Sequence, residues 1–408
     1  MQHLIRAPQS RPQINRMSLL FACTYMVSYL TRINYGAIIS EVAADTGIAK
    51  SVLSMSITGS FITYGVGQVI SGIIGDRIAP KKLVLLGLIA TALMNLLIPV
   101  CSDPYLMCGV WCVNGFAQSF MWPPLVRLMS TLLSEDDYKR VSTRVVWGSS
   151  VGTVLVYLLS PLVITAFSWE FVFVFSSCCA VIMLLVWNRY SYDIPADQTV
   201  SGKKRSGSMK PLFTPLMLCV MLAVALQGML RDGITTWMPS YIAETYSLSN
   251  ILSILTGVVL PVFSILCISF ATSLYRRRLS NPLICAGVFF AAGSLSALAL
   301  FLLTGRNAAG SVIFSAMLTG SMHGVNHILV SMVPPYFKKY GIVSTASGVI
   351  NACTYIGSAA STYGIAVLSE TIGWQGTVLV WLLIALIGTG VTFLSAAPWR
   401  RAFASEAK

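Results

Sequence analysis

Apolar residues recur along the chain in long runs that are separated by short polar segments. A helix needs about 20 mostly apolar residues to cross a bilayer. Twelve runs of this kind, called spans 1 to 12 below, lie near 17–38, 52–74, 83–101, 105–132, 141–163, 169–188, 212–238, 250–274, 281–303, 309–333, 345–368 and 374–395. The pattern predicts an all-α polytopic membrane protein with twelve transmembrane helices.

Composition supports the same fold class. Of the 408 residues, 56% are hydrophobic and 10% are charged, whereas a soluble protein carries about 25% charged residues. So few charges cannot cover a water-exposed surface, which excludes a cytosolic enzyme. The alternating, turn-rich pattern of an outer-membrane barrel is absent. The cysteines fall almost entirely inside the spans, where we interpret them as small buried apolar residues.

Lysine and arginine are distributed unequally between the two sides of the predicted bundle. Of the 27, 21 fall in the tails and connections of one side, and only Lys50 and Arg306 fall on the other. Because basic residues mark cytoplasmic segments, both termini and the central linker are predicted to be cytoplasmic, in a plasma (bacterial inner) membrane. The net charge of +13 then reflects topology and contact with anionic lipid, and no nucleic-acid partner is predicted.

The longest polar connection divides six spans from six. It contains Lys203, Lys204 and Arg205 among several Ser and Gly residues. The predicted organisation is a cytoplasmic tail 1–16, a six-helix bundle 17–188, a cytoplasmic linker 189–211, a second six-helix bundle 212–395 and a cytoplasmic tail 396–408.

The two halves of the chain resemble each other. Matching residues are, in pairs, Trp122-Pro123-Pro124 and Val333-Pro334-Pro335, Gly152 and Gly357, Trp169 and Trp374, and Arg32 and Arg231. The glycine and tryptophan pairs are offset by 205 residues and the arginine pair by 199. Two parallel six-helix repeats with a site between them describe the major facilitator architecture.

The connection between spans 2 and 3 supports this architecture. Its sequence, Gly72-Ile-Ile-Gly75-Asp76-Arg77-Ile-Ala-Pro80, resembles the cytoplasmic loop signature of the major facilitator superfamily, with Ala79 in place of the usual second glycine. The resemblance implies a gating role for Gly72, Asp76 and Arg77.

Apart from Glu170, the second residue of span 6, five charged residues lie inside the spans: Arg32, Arg127, Arg144, Arg231 and Asp232. A charge at mid-bilayer costs about 2.5–3.5 kcal/mol on insertion scales, so such residues usually face a cavity. Four arginines against one carboxylate predict a positive cavity and an anionic cargo. For Arg127 and Arg144, near the cytoplasmic ends of spans 4 and 5, a gating bond and snorkelling toward the interface explain the charge equally well.

Arg32 and Arg231 are the predicted anion clamp. A guanidinium fork matches a phosphoryl group bidentately and stays charged at any accessible pH, and the repeat supplies one fork from each half. Asp232 is adjacent to Arg231, but consecutive residues of a helix do not face each other. We therefore expect Asp232 not to neutralise Arg231.

Around these arginines the chain resembles the organophosphate:inorganic phosphate antiporters, which include glycerol-3-phosphate and hexose-phosphate transporters. The motifs are Tyr25-Met-Val-Ser-Tyr29-Leu-Thr-Arg32 in span 1, Trp122-Pro123-Pro124-Leu-Val-Arg127 in span 4 and Arg231-Asp-Gly233-Ile-Thr-Thr-Trp237-Met-Pro239 in span 7. The resemblance covers nearly the whole chain. It implies that Arg32 and Arg231 hold the phosphoryl group and that tyrosines line the pocket, namely Tyr25, Tyr29, Tyr64 and Tyr355.

The departures from that family concern selectivity. Gln68 stands where the glycerol-phosphate type has a lysine, one turn beyond the tyrosine of span 2. Span 5 reads Trp147-Gly148-Ser149-Ser150 where that type has a histidine, and span 11 offers Asn351 where the hexose-phosphate type has a charge. We expect Gln68 and Asn351 to bear on the non-phosphate end of the cargo, whose identity stays open.

His323 and His327 lie four residues apart in span 10, on one predicted helical face. No carboxylate lies near them in sequence to complete a metal site, so no metal and no cofactor is predicted. Hydrogen bonding to substrate or to Asn326 is one interpretation, and a satisfied interior histidine is the other.

The sequence carries no phosphate-cradling loop, no paired carboxylates and no nucleophile–histidine–acid set, so no enzyme activity is predicted. We expect a monomeric secondary transporter that exchanges an organic phosphate ester or phosphonate for inorganic phosphate. One alternative is a membrane receptor for external sugar phosphate with the same fold. Another is a proton-coupled exporter of amphipathic cations, which would need a more acidic cavity.

Overall fold

The computed structural model describes residues 10–48, 50–192, 194, 209–248, 256 and 259–403. Within these ranges the chain consists of helices joined by turns and short loops, and no β-strand occurs. Most of the predicted linker, 193 and 195–208, lies outside the described residues, as do 1–9 and 404–408 of the predicted tails.

The chain forms two compact units, of which the first contains residues 1–207 together with 337–352. Its helices are α1 Arg11–Ala37, α2 Ile39–Thr46, α3 Lys50–Gly75, α4 Pro80–Leu97, α5 Pro104–Gln118, α6 Trp122–Leu132, α7 Glu135–Ala166 and α8 Glu170–Tyr190.

The second unit contains residues 208–336 and 353–408. The helices of this part of the chain are α9 Pro215–Tyr246, α10 Val259–Arg277, α11 Pro282–Leu303, α12 Ala308–Asn326 and α13 Val343–Ala402. Helix α13 is interrupted at Gly373, whose φ of 68° takes the backbone out of helical geometry. It therefore comprises two helical segments. The first ten residues of α13, 343–352, belong to the first unit.

Over the described residues, helical structure coincides with all twelve predicted spans; 250–255 and 257–258 of span 8 lie outside the described residues. The all-helical fold class is confirmed. Eight described helices are long and apolar enough to cross a membrane. The other four fall on spans 1, 4, 10 and 11, which are the spans that carry Arg32, Arg127, His323 and Asn351. Polar side chains reduce the mean hydropathy of a span without preventing helix formation.

Span 4, predicted as one helix, is two. The α-helix stops at Gln118, tight turns follow through Met121, and α6 starts at Trp122. Pro123 and Pro124 cause the break because proline has no N–H to bond the carbonyl one turn earlier. In the matching position of span 10, a π-helical turn His327–Met332 precedes the second proline pair, and that pair begins a 3₁₀-helix Pro334–Tyr340.

Buried polar side chains and exposed large apolar ones occur together in both units. Fully buried amides include Asn34, Asn95 and Gln118, while Leu158 and Leu185 are more than 60% exposed. So many exposed large apolar side chains are unusual in a soluble protein, in which large apolar surface patches are rare. It suits a bundle whose outer surface meets lipid.

Two tryptophans make the same contact in the two units. Trp169 donates its indole N–H to Asp45 at 2.8 Å, and Trp374 donates to Glu244 at 2.7 Å. The acidic partners are 199 residues apart, like Arg32 and Arg231, and the tryptophans are 205 apart. Asp45 lies in the short helix α2 and Glu244 near the end of α9. Each bond ties this region to the start of the last helix of the same repeat, at Trp169 before α8 or at Trp374 after the break at Gly373.

Close helix packing is repeated as well. Gly152 lies against the carbonyl of Met26, and Gly357 lies against the carbonyl of Ala225. Met26 and Ala225 are again 199 residues apart. Small residues let helix backbones approach closely in membranes, so the repeat predicted from sequence has the same packing contacts in each unit. The exact domain boundaries stay a prediction.

We predict that Gly348→Ala lowers the melting temperature of the purified protein. A Cβ at Gly348 would collide with the backbone carbonyl of Gln68 and crowd Gly72, and overpacking costs about 1–3 kcal/mol. Gly390→Ala is the matched control in α13, because no described atom lies within 4 Å of its added carbon. Equal melting temperatures for the two variants would contradict the close packing at Gly348.

Candidate functional site

Arg32 lies in α1, within the first unit, and is 7% exposed. Its guanidinium carbon is 4.1 Å from the centroid of the Tyr29 ring and 4.7 Å from that of Tyr64. Aromatic faces attract a cation without supplying a negative charge. The two ring faces therefore stabilise the buried guanidinium.

The aromatic surface around Arg32 continues through Tyr25. Its ring lies 5.3 Å from that of Tyr29 and 5.1 Å from that of Trp122. Tyr25 and Tyr64 are buried, and Tyr29 is half-buried. The structure therefore brings together Arg32 and three of the four tyrosines that the resemblance implied.

A network of neutral polar side chains fixes α1 next to Arg32. Gln118 donates to the Thr31 hydroxyl at 2.8 Å, while the amides of Asn114 and Asn95 both donate to the Thr31 carbonyl, at 3.0 and 3.1 Å. Ser28 donates to Gln118 at 2.5 Å. Our sequence reasoning missed this network, although amides inside otherwise apolar spans were a usable signal.

Arg231, in α9, is paired with a carboxylate. Its Nε and Nη2 donate to the two oxygens of Asp232 at 2.6 and 2.8 Å, and Ser358 donates to Asp232 at 2.5 Å. The expectation that Asp232 would not neutralise Arg231 is wrong. The two Cβ atoms do point apart, but the arginine side chain is long enough to curve back onto its neighbour's carboxylate.

Polar contacts continue from Arg231 along α9. Gln227 donates to Asn326 at 3.0 Å and to the hydroxyl of Thr354 at 3.1 Å. His327 is fully buried and begins the π-helical turn, whereas His323 belongs to the last turn of α12 and is half-buried. The two histidines thus do not share one regular α-helix, and Asn326 bonds Gln227.

Gln68 and Asn351 meet in the first unit. The Asn351 amide donates to the Gln68 carbonyl oxygen at 3.0 Å, and both side chains are buried. Within the described chain, the Gln68 amide nitrogen has no hydrogen-bond partner. Tyr355, one turn after Asn351, is half-buried.

Asp76 connects the end of α3 to the beginning of α13. It accepts the backbone N–H groups of Ser344 and Thr345 at 3.0 and 2.7 Å and the Thr345 hydroxyl at 2.6 Å. Burial raises the pKa of Asp76, while these bonds and the charge of Arg127 act in the opposite direction. A carboxylate at a helix N-terminus complements the helix dipole.

Arg127 makes the complementary contact at the end of α3. It donates to the carbonyls of Gly75 and Ile78 at 2.5 and 3.1 Å, so a cation meets the negative end of that helix. Arg77 is exposed, and Arg144 donates to Asn15 at 2.8 Å. These contacts involve helix ends and differ from the surroundings of Arg32.

Comparison with known proteins identifies the fold family. The model of the Major Facilitator Superfamily matches residues 21–362. The chain belongs to the Major Facilitator Superfamily. A solved structure of the Escherichia coli fucose:proton symporter FucP has the same fold, with a TM-score of 0.74 and 13% identity over 93% of this chain and 97% of that chain.

Two curated relatives of this superfamily chain are similar over most of their length. The "Probable hexose phosphate transport protein" of Chlamydia muridarum (strain MoPn / Nigg) is 23% identical over 89% of this chain and 86% of its own. The "Membrane sensor protein UhpC" of Escherichia coli (strain K12) is 20% identical, over 93% and 90%. The resemblance to the organophosphate:inorganic phosphate antiporter family is confirmed, and the chain is an integral membrane protein.

The Major Facilitator fold carries two chemically different arginine sites here. The first unit surrounds Arg32 with tyrosine rings, and the second unit holds Arg231 against Asp232 and near Ser358. Either guanidinium suits an oxyanion. Because the two arginines belong to different units, their joint use on one ligand stays a prediction.

We predict that Gln118→Met destabilises the folded protein. Methionine cannot donate to Thr31 or accept from Ser28, and losing buried hydrogen bonds costs about 1–3 kcal/mol. Val113→Leu, at a half-exposed position of the same helix, should change stability by less than about 0.5 kcal/mol. Thermal unfolding of the purified variants measures both effects, and a Gln118→Met protein that melts like the parent would contradict the role of the network.

Proposed function

We propose that this chain is a secondary transporter for an organic phosphate ester or phosphonate, which it exchanges for inorganic phosphate by alternating access. Arg32 and Arg231 bind the phosphoryl group. The function is transport, without covalent chemistry on the cargo. Both termini face the cytoplasm of a bacterial inner membrane, and the working unit is a monomer.

The observation that carries this proposal is a buried guanidinium at the same position of each repeat. Arg32 and Arg231 are separated by the offset that also separates Asp45 from Glu244 and Met26 from Ala225. A single cation in a bilayer is costly, and its retention in both halves indicates a shared anionic ligand. A phosphoryl group offers enough oxygens for two bidentate forks.

The surroundings of Arg32 support a phosphoryl ligand over a cation. Tyr29 and Tyr64 present ring faces to the guanidinium, and tyrosine hydroxyls can also donate to phosphoryl oxygens. Tyr25, Tyr355, His323 and His327 complete the proposed lining. Gln68 and Asn351 are proposed to act on the non-phosphate end, where amides discriminate by hydrogen bonding.

In the proposed alternating-access mechanism, the contacts at the helix ends stabilise one of the access states. Asp76 accepts bonds from the N–H groups of Ser344 and Thr345, which join the end of α3 to the beginning of α13. Arg127 of α6 donates to Gly75 at the same end of α3. In our proposal these bonds, with Gly72 and Arg77 of the loop signature and Arg144, stabilise one access state. They break and re-form as the cargo crosses.

A receptor for external sugar phosphate is the second candidate. The similarity to the sensor UhpC over 93% of this chain favours it. A receptor would bind ligand with little flux and would signal through a cytoplasmic partner. Flux measured on the purified protein therefore separates the two functions.

We predict phosphate-driven exchange in proteoliposomes that contain the purified protein. Vesicles loaded with inorganic phosphate should take up labelled phosphate, and phosphate esters added outside should inhibit this uptake. An uncoupler should have no effect, because the spans contain few carboxylates that could carry protons. Binding without exchange would favour the receptor, and uptake driven by a pH gradient alone would contradict antiport.

We predict that Arg32→Lys and Arg231→Lys each weaken phosphate binding by about tenfold or more. Lysine keeps the charge but loses the planar fork, and a hydrogen bond to a charged group is worth about 1.5–3 kcal/mol. The double variant should lose less than the sum of the two free-energy changes, because both residues share one ligand. Competition binding on purified protein measures all three affinities.

Arg127→Lys is the matched control for the clamp variants. Arg127 is buried like Arg32 but donates to the carbonyls of Gly75 and Ile78. Its substitution should leave phosphate affinity within about twofold of the parent while affecting the access equilibrium. If either clamp variant bound phosphate as the parent does, the proposed site would be misplaced.

A further inference from the structure

The Arg231 fork already holds an oxyanion of the chain itself. Nε and Nη2 donate to separate oxygens of the Asp232 carboxylate at 2.6 and 2.8 Å, which is the bidentate geometry that a phosphoryl group would use. Ser358 donates a third bond to the same carboxylate at 2.5 Å. Asp232 therefore occupies the side of Arg231 that the proposed cargo needs.

This carboxylate is not part of the duplicated pattern. The residue that corresponds to Asp232 at the offset of 199 is Ile33, which follows Arg32. Arg32 instead has the rings of Tyr29 and Tyr64 against its guanidinium. Only the second half of the repeat thus places an acidic residue directly after its arginine.

We propose that Asp232 is an internal ligand of Arg231 that the cargo must displace, and that it thereby sets an affinity threshold which singly charged anions do not pass. The cargo class admitted is a doubly charged phosphoryl or phosphonyl group. This inference rests on the proposed function, because it assumes that Arg231 binds the cargo.

The threshold follows from competition within the chain. Asp232 is the next residue to Arg231, so its effective concentration at the guanidinium is high and its association costs little entropy. A carboxylate or sulfonate from solution offers the same single charge and no better geometry, and it must also lose its translational freedom. A phosphoryl dianion brings a larger charge to the guanidinium, so it can replace Asp232.

The position of Asp232 makes displacement feasible. Its side chain is 32% exposed, whereas that of Arg231 is 11% exposed. Of the two partners, the carboxylate is the more accessible to a ligand. In our proposal it turns away from the guanidinium while the arginine stays in place. The Ser358 hydroxyl has a single hydrogen, which it can donate either to Asp232 at 2.5 Å or to the Thr354 carbonyl at 2.9 Å. When Asp232 turns away, the hydroxyl therefore keeps a hydrogen-bond acceptor on its own helix.

The test compares two ligands of the same shape and different charge. Methylphosphonate, at an alkaline pH where it is doubly charged, and methanesulfonate, which is singly charged, compete against labelled inorganic phosphate on the purified full-length protein. In the parent, methylphosphonate should compete and methanesulfonate should not. In Asp232→Asn, the affinity for methanesulfonate should rise by about tenfold or more, and that for methylphosphonate should rise by a similar factor.

The ratio of these gains separates displacement from a general field effect. If Asp232 acted only as a distant negative charge, its removal would change the Coulomb energy of a dianion twice as much as that of a monoanion. The fold-gain in affinity for methylphosphonate would then be near the square of the fold-gain for methanesulfonate. Three results for Asp232→Asn would overturn the inference. They are such a larger gain for the dianion, an unchanged affinity for methanesulfonate, and a weaker affinity for methanesulfonate. Asp232→Ser provides a second removal of the carboxylate, and Ser358→Ala, which leaves the ion pair, should give a smaller gain than either.

Arg231→Ala distinguishes failure of this inference from failure of the proposed function. If Arg231→Ala binds phosphate like the parent, Arg231 does not bind cargo and the proposed site itself is wrong. If Arg231→Ala abolishes binding but Asp232→Asn behaves like the parent, the site stands and only the displacement of Asp232 is overturned.

Discussion

Burying a guanidinium in an apolar bundle is the constraint on which the rest of this structure depends. Such a charge is costly unless it is compensated, and the two units compensate it in different ways. Arg32 lies against the faces of Tyr29 and Tyr64, whereas Arg231 is bound bidentately by Asp232. The first site surrounds its cation with aromatic faces, and the second binds its cation to a carboxylate of the chain itself.

The two units share helix-packing contacts but differ in the residues around their arginines. Trp169 with Asp45 and Trp374 with Glu244 make the same bond in the two units, because these contacts set how the helices of one repeat join. The arginine surroundings carry no such packing requirement and have diverged. The duplicated scaffold thus carries two chemically unlike arginine sites.

Neutral polar groups and helix ends supply the remaining order. The amides around Thr31 hold α1 beside Arg32 without adding charge, so they do not compete for the proposed cargo. At the beginning of α13 the contact is charged instead. Asp76 accepts charge-assisted hydrogen bonds from backbone N–H groups, and such bonds are strong but reversible. Rigid neutral contacts near the site and charged contacts at the helix ends suit a protein that must keep its site intact while its helices move.

The sequence by itself determined the spans, the repeat, the family and the two arginines, because bilayer thickness and residue spacing act locally along the chain. The break in span 4, which was predicted as one helix, also has a local cause in Pro123 and Pro124. Only the tertiary structure decided that Asp232 neutralises Arg231 and that Gln68 meets Asn351, 283 residues later. Long side chains can curve back on their own backbone, and partners that are distant in sequence meet only through helix packing, so neither contact follows from helical periodicity.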